Sequence, residues 1–216
     1  MVTHILSTSD SIFNEALAQM RDVAIQKDTM RFRSNLERVG YMFAYEISKS
    51  LEYEDREVHT PLGIANGRVL KDKLVLGTIL RAGLPMHAGM LRMFDDAENA
   101  FVAAYRKYGR DYKFTIELEY LSCPDLTGKV LIIADPMLAT GSSMFLTYNE
   151  LIKKGIPRHC HIATLIASRE GYEYVCRKMG HLDVTLWVGA IDEELTTKSY
   201  IVPGLGDAGD LAFKEK

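Results

Sequence analysis

Residues 130–143, Val-Leu-Ile-Ile-Ala-Asp-Pro-Met-Leu-Ala-Thr-Gly-Ser-Ser, restrict the fold more than any other stretch of the chain. An apolar run stops at a single carboxylate, Asp135, and passes through Ala139-Thr140-Gly141-Ser142-Ser143. Met144, Phe145, Tyr148, Leu151 and Ile152 then follow at helical spacing. The pattern predicts a buried strand, a small-residue turn and a helix. A helix start offers unpaired N–H groups and a partial positive charge, and glycine and serine let an anion come close. A phosphate subsite beside an acid that can accept hydrogen bonds from sugar hydroxyls suggests a phosphorylated sugar. A plain strand-to-helix turn with a serine N-cap would read the same way. The loop is not a P-loop, because no Gly-Lys-Ser/Thr ends it, and it lacks the three spaced glycines of a dinucleotide fingerprint.

Alternation continues on both sides of this segment. Ser9 or Asp10 is positioned to cap a helix carrying Ile12, Phe13, Leu17, Met20 and Val23, and Asp28 or Thr29 a longer one with Phe32, Leu36, Val39, Phe43 and Ile47. Short strands are expected around a turn at 61–67. Strands are then predicted at 73–80, 100–105, 129–134, 159–167 and 184–188, with helices at 85–94, 142–154 and 170–179. Residues 106–122 read as polar and irregular, a hairpin or mobile flap. Strands alternating with helices imply an α/β fold with a largely parallel sheet, in one domain spanning 1–216, with the helices of 10–52 covering the sheet or contacting another subunit. Ligands of such sheets sit beyond the carboxyl ends of the strands, which directs attention to three further segments.

Arg81-Ala82-Gly83 follows the strand at 73–80, where an arginine fork suits phosphate. A surface arginine in a tight turn is the plainer reading. Arg106, Lys107, Arg110 and Lys113 follow the next strand as a basic group suited to a polyphosphate or to a solvated hairpin. Tyr200 to Asp210, Tyr-Ile-Val-Pro-Gly-Leu-Gly-Asp-Ala-Gly-Asp, is too rich in glycine and proline for an expected helix or strand. As a loop it would show peptide edges to a flat ligand such as a pyrimidine.

Composition narrows the class. The formal charge is −3, which argues against a nucleic-acid partner. No apolar run approaches a membrane span. Cys123, Cys160 and Cys176 show no paired spacing and fit reduced thiols of a cytosolic chain. The histidines show no metal-ligand spacing.

Ile79-Leu80-Arg81-Ala82-Gly83-Leu84, Tyr105-Arg106, the Asp-Pro-Met-Leu-Ala-Thr-Gly of 135–141 and the loop 200–210 together closely resemble the uracil phosphoribosyltransferases. The likeness runs from Thr29-Met30-Arg31-Phe32-Arg33 to the C-terminal loop. It implies a type I phosphoribosyltransferase fold with a hairpin flap and a C-terminal base-binding loop. The reaction implied is uracil plus 5-phosphoribosyl diphosphate (PRPP) giving UMP and diphosphate, with Mg2+ carried mainly by PRPP. Carried over by motif, Asp135 binds the ribose hydroxyls, Ala139, Thr140, Gly141, Ser142 and Ser143 hold the 5-phosphate, and Pro136, Met137 and Leu138 complete the PRPP segment. Arg81 and Arg106 hold the diphosphate, and Asp207 faces the phosphoribosyl substrate. Ile201, Gly206 and Ala208 read uracil through their backbones, with Met137 and Tyr200 walling the base. The resemblance also suggests a homo-oligomer, a dimer or larger, and leaves GTP open as an effector.

The chain departs from the family pattern at four places: Ser142 for a glycine, Thr78 for a proline, Pro85 for a glycine, and Lys107-Tyr108-Gly109-Arg110 after Arg106. If position 142 needs a positive φ, or if its Cβ crowds the phosphate, the serine would weaken PRPP binding; a helix-start φ would make it harmless and let the serine add a donor. Three rival readings follow: a purine or orotate enzyme of the same fold, an RNA-binding regulator, and a weakly catalytic nucleotide sensor. The C-terminal loop and single acid argue against the first, and the acidic charge against the second.

Overall fold

The computed structural model describes residues 1–108 and 114–214, with the side chains of 104–118 outside that description. The chain opens with strand β1 (Val2–Ile5), followed by helices α1 (Ile12–Arg21) and α2 (Thr29–Ser48). Ser11, and not the expected Ser9 or Asp10, caps α1 by accepting from the Phe13 N–H at 3.3 Å. Asp28 caps α2, accepting from the N–H groups of Met30 and Arg31 at 3.0 Å. Helix α2 buries its whole predicted stripe, Phe32, Leu36, Val39, Phe43 and Ile47, whereas α1 buries Phe13, Leu17 and Met20 but leaves Ile12 exposed, and Val23 lies exposed beyond its end.

A hairpin of β2 (Tyr53–Thr60) and β3 (Gly63–Leu70) stands as its own two-stranded sheet. Its turn is confined to Pro61 and Leu62, tighter than the expected 61–67. The main sheet is then built from β4 (Leu74–Leu80), α3 (Leu84–Met93), β5 (Glu98–Tyr108), β6 (Phe114–Ser122), β7 (Val130–Ala134), β8 (Met137–Leu138), α4 (Ser142–Leu151), β9 (His159–Ser168), α5 (Arg169–Met179) and β10 (Val184–Asp192). Two short strands, β11 (Glu194–Leu195) and β12 (Ile201–Val202), and helix α6 (Ala208–Phe213) complete it.

Strand order is β1-β10-β9-β7-β4-β5-β6, parallel throughout except for β6 against β5, with β8 beside β9. Side chains alternate across the sheet. Val130, Ile132 and Ala134 face α1, α2 and α3, whereas Leu131 and Ile133 join the cluster under α4 and α5. With both faces covered, β7 reads as one unbroken apolar run.

Several expectations need correction. Of the irregular stretch expected at 106–122, the described residues 106–108 and 114–122 are regular strand: β5 runs on to Tyr108 and pairs antiparallel with β6, the hairpin alternative, with one register shift at Ala103/Ala104. The helix predicted to Lys154 ends at Leu151 and closes in a 3-10 turn. Strand β10 passes Gly189 and ends at Asp192. The stretch 200–210 does contain regular structure: Ile201–Val202 pairs with β11, and α6 begins at Ala208. The glycines there mark φ values that other residues avoid (Gly204 at 57°, Gly206 at 91°) rather than absence of order.

The chain leaves β4 toward β5 on one side and β7 toward β9 on the other. The strand order therefore reverses between β4 and β7, and a crevice opens beyond their ends.

Candidate active site

Asp135 is the first residue past β7. Its N–H donates to the Ala163 carbonyl at 3.1 Å, while the buried Thr78 hydroxyl, where the family pattern has proline, donates to the Ala134 carbonyl at 3.1 Å. The strand end is thus locked from both neighbours. Among the described residues, the carboxylate itself receives only the Met137 N–H, at 3.5 Å. Although one edge of it stays open to the crevice, burial pushes its pKa from the usual 3.8 up to about 7.

After Asp135 the chain runs beside β9 as β8, then reverses at Gly141 (φ 76°) into α4. A Cβ at Gly141 would stand 2.9 Å from the Gly171 carbonyl, so both conformation and space demand glycine. Ser142 is the first helical residue and does not have a positive φ. The penalty expected from a positive φ at this position therefore does not arise. Thr140 Oγ1 accepts from the Ser142 N–H at 3.4 Å and donates to the Ser142 hydroxyl at 3.3 Å. Behind the loop, buried Ser168 caps α5 through the Gly171 N–H at 2.8 Å and donates its hydroxyl to the Ala139 carbonyl. The α4 start thus rests on the α5 start.

From β4, Arg81 reaches across the crevice. Its Nη2 lies 3.1 Å from Asp210 Oδ1 and its Nη1 donates to the Lys214 carbonyl at 3.4 Å. The peptide bond before Arg81 is cis. Asp207 caps α6, accepting from Gly209 and Asp210 N–H groups at 2.8 and 3.0 Å, and Arg33 of α2 donates to the Ala212 carbonyl at 2.7 Å.

These elements enclose a cleft of about 400 Å³ lined by Ile79 to Ala82, Asp135, Met137 and Asp207 to Asp210. Of the expected residues, Arg81, Asp135, Met137, Asp207 and Ala208 meet there. Gly206 borders an adjoining cavity of about 370 Å³ that shares Asp207 and Asp210. Pro136, Leu138 and the loop Ala139 to Ser143 continue directly from the cleft wall, without lining it. Ile201 is buried beneath the C-terminal loop, and the half-exposed Tyr200 lies outside the cleft walls. The Arg106 side chain falls outside the described residues. A larger cavity of about 770 Å³, beside His4, Tyr45 and Trp187, holds none of the expected site residues.

Sequence reading missed four residues around the site. Ser168, Arg33, Arg21 and Asp192 all bond backbone groups of other segments, at Ala139, Ala212 and Gly204, and only Ser168 carries a local signal, as a serine at a helix start.

An acid, a helix start and an arginine converging at the switch point of a parallel sheet place this molecule among the phosphoribosyltransferases. A hypoxanthine phosphoribosyltransferase from Staphylococcus aureus shares the fold, with a TM-score of 0.50 at 14% identity over 76% of each chain. Within that class, the uracil phosphoribosyltransferase family model matches residues 7–214, and the chain belongs to this family. It is 56% identical to a uracil phosphoribosyltransferase of Porphyromonas gingivalis over 98% of this chain and 97% of the relative. A namesake from Pyrococcus furiosus is 38% identical over 93% and 85%. A solved structure from Aquifex aeolicus superposes with a TM-score of 0.87 at 30% identity, covering 99% and 98%.

Proposed function

We propose that the cleft between β4, β7 and α6 joins uracil to the ribose of PRPP, forming UMP. N1 of uracil bonds to the anomeric carbon as the bond to the diphosphate oxygen breaks. The N1 proton leaves to solvent or to the departing diphosphate. The observation that carries this reading is the meeting of Arg81, Asp135 and the Asp207–Ala208 turn in one crevice.

Each group has a role suited to its chemistry. Asp135 accepts hydrogen bonds from the ribose hydroxyls, and its burial strengthens them. The α4 start, with Thr140, Ser142 and Ser143, takes the 5-phosphate. Arg81 exchanges its Asp210 partner for the diphosphate, a doubly forked contact that neutralises the leaving group. Ile201, Gly206 and Ala208 present peptide edges to the uracil carbonyl and N–H groups. Arg106 belongs to the same reading as a second diphosphate ligand.

Mg2+ suits this donor set. Asp135 and Asp207 both face the cleft and offer hard oxygens, leaving most coordination sites to substrate oxygens and water. When bound, the ion screens charge developing on the diphosphate.

The test is UMP formation from labelled uracil, PRPP and Mg2+. Failure of the wild-type chain to make UMP would refute the assignment. Titrating GTP into the same assay tests the effector expectation, and sedimentation tests the oligomer.

A further inference from the structure

Gly204 lies between the buried Ile201 and Gly206, where the C-terminal loop turns back toward the cleft. Both of its backbone groups are held by one ion pair. Arg21 Nη2 and Nη1 meet Asp192 Oδ1 and Oδ2 at 2.7 and 2.8 Å. The same Nη1 donates to the Gly204 carbonyl at 2.9 Å, and the Gly204 N–H donates to Asp192 Oδ2 at 3.0 Å. The result is a closed ring of charge-assisted hydrogen bonds around the backbone N–H and carbonyl of one residue. Its supports are firm: Asp192 is the last residue of β10, with a side chain only 7% exposed, and Arg21 ends α1. Gly204 fits tightly, since a Cβ there would lie 2.0 Å from the Ile201 carbonyl.

Arg21 acts a second time. Its carbonyl accepts from buried Gln26 Nε2 at 3.0 Å, and Gln26 walls the cavity beside Gly206. Arg21 therefore holds the loop directly at Gly204 and fixes the Gln26 side chain in the wall of the cavity that Gly206 borders.

We infer that Arg21 and Asp192 are positioning residues that set the register of the peptide edge reading the pyrimidine, and so govern base affinity and discrimination. The inference rests on the function proposed above. Neither side chain lines the cleft, so both act through the loop. Cytosine differs from uracil at the two ring positions such an edge reads, an amino group for a carbonyl and a bare nitrogen for N–H. A braced loop rejects it, and a loosened loop admits it more readily. A displacement of about 1 Å in such a positioning element is enough for losses of up to about 100-fold.

The experiment is steady-state kinetics of Arg21→Ala, Arg21→Lys and Asp192→Asn, with Arg158→Ala as a control. Arg158 pairs with Glu52 and Asp72 away from the cleft. Arg21→Ala is expected to raise KM for uracil by about 10- to 100-fold. KM for PRPP should stay within about threefold, and the uracil preference over cytosine should shrink. Arg21→Lys keeps the charge without the fork, so it should recover part of the loss. Arg158→Ala should leave both KM values and the base preference unchanged. An unchanged uracil KM in Arg21→Ala overturns the inference, as does a parallel rise of both KM values. If Arg21→Ala does not fold, Arg21→Lys and Asp192→Asn decide by the same split. A wild-type chain that makes no UMP sinks the reaction itself, whereas UMP with unaltered variant kinetics sinks only the brace.

Discussion

Replacing Asp135 by asparagine separates what this carboxylate does for the fold from what it does for the proposed reaction. Burial raises its folded pKa from 3.8 to about 7, so the folded chain binds that proton more tightly than the unfolded chain does. The stability this confers is fully present below pH 3.8, is lost as pH rises toward 7, and is gone above it. At roughly 1.4 kcal/mol for each tenfold change in proton affinity, the ceiling is about 4 kcal/mol. Because one edge of the carboxylate is open to the crevice, about 2 kcal/mol is the expected size. Asparagine is neutral in both states and escapes this loss. Asp135→Asn should therefore match the wild type near pH ~4 and exceed it by about 2 kcal/mol above pH ~7, or about 4–8 °C in Tm for a chain of this length. The assay is urea unfolding of both proteins from acid to mildly alkaline pH, run beside UMP synthesis. The variant's kcat/KM should fall by at least about 100-fold, since the amide cannot bind two ribose hydroxyls as an acceptor alone. A stability gap that does not change with pH would refute the reasoning, as would a wild type more stable than the variant at the alkaline end.

Three other substitutions probe the loops. Ser142→Gly should leave KM for PRPP within about threefold, because position 142 is an ordinary helix start; a tenfold tightening in kinetics would show that the serine obstructs phosphate. Gly141→Ala should cost about 1–2 kcal/mol in urea titrations and raise KM for PRPP, since it forces a side chain to φ 76° against the Gly171 carbonyl. Asp207→Ala should lose activity and about 1 kcal/mol from the missing cap, whereas Asp207→Asn should keep the cap and still lose activity. Full activity in Asp207→Asn would remove the charge from the proposed chemistry.

The sequence was most legible where local pattern and tertiary role agree. Strands β4, β7 and β9 are covered on both faces and announce themselves as apolar runs. The caps of α2 and α5 sit at polar residues before helical stripes. Legibility failed where distant parts decide. Strand β1 is four residues long and partly polar, and it is a strand only because β10 pairs with it. The expected strand stops at 188, whereas β10 continues through Gly189, where the Leu165 backbone packs in the place of a side chain. Helix α6 carries Gly209 near its start and was masked by it, although Asp207 and Asp210 are a legible capping pattern. The Arg21–Asp192 pair joins positions 171 residues apart, a separation at which no periodicity operates. The phosphate-loop motif, by contrast, is contiguous, and its strand, turn and helix start lie where the sequence predicts.

Strand β1 also orders events during synthesis. Val2–Ile5 pairs with Thr185–Val188 and with no other strand, and His4 stacks on Trp187 at 4.2 Å. At typical translation speeds of about 5–20 residues per second, roughly 10 to 40 seconds pass between the making of the two partners. During that time β4, β5, β7 and β9 can already pair with one another, while the earliest strand of the sheet waits on the ribosome without its neighbour. In the main sheet, β1 thus waits longest for its neighbour, and Trp187 becomes stacked on His4 only when β1 joins β10.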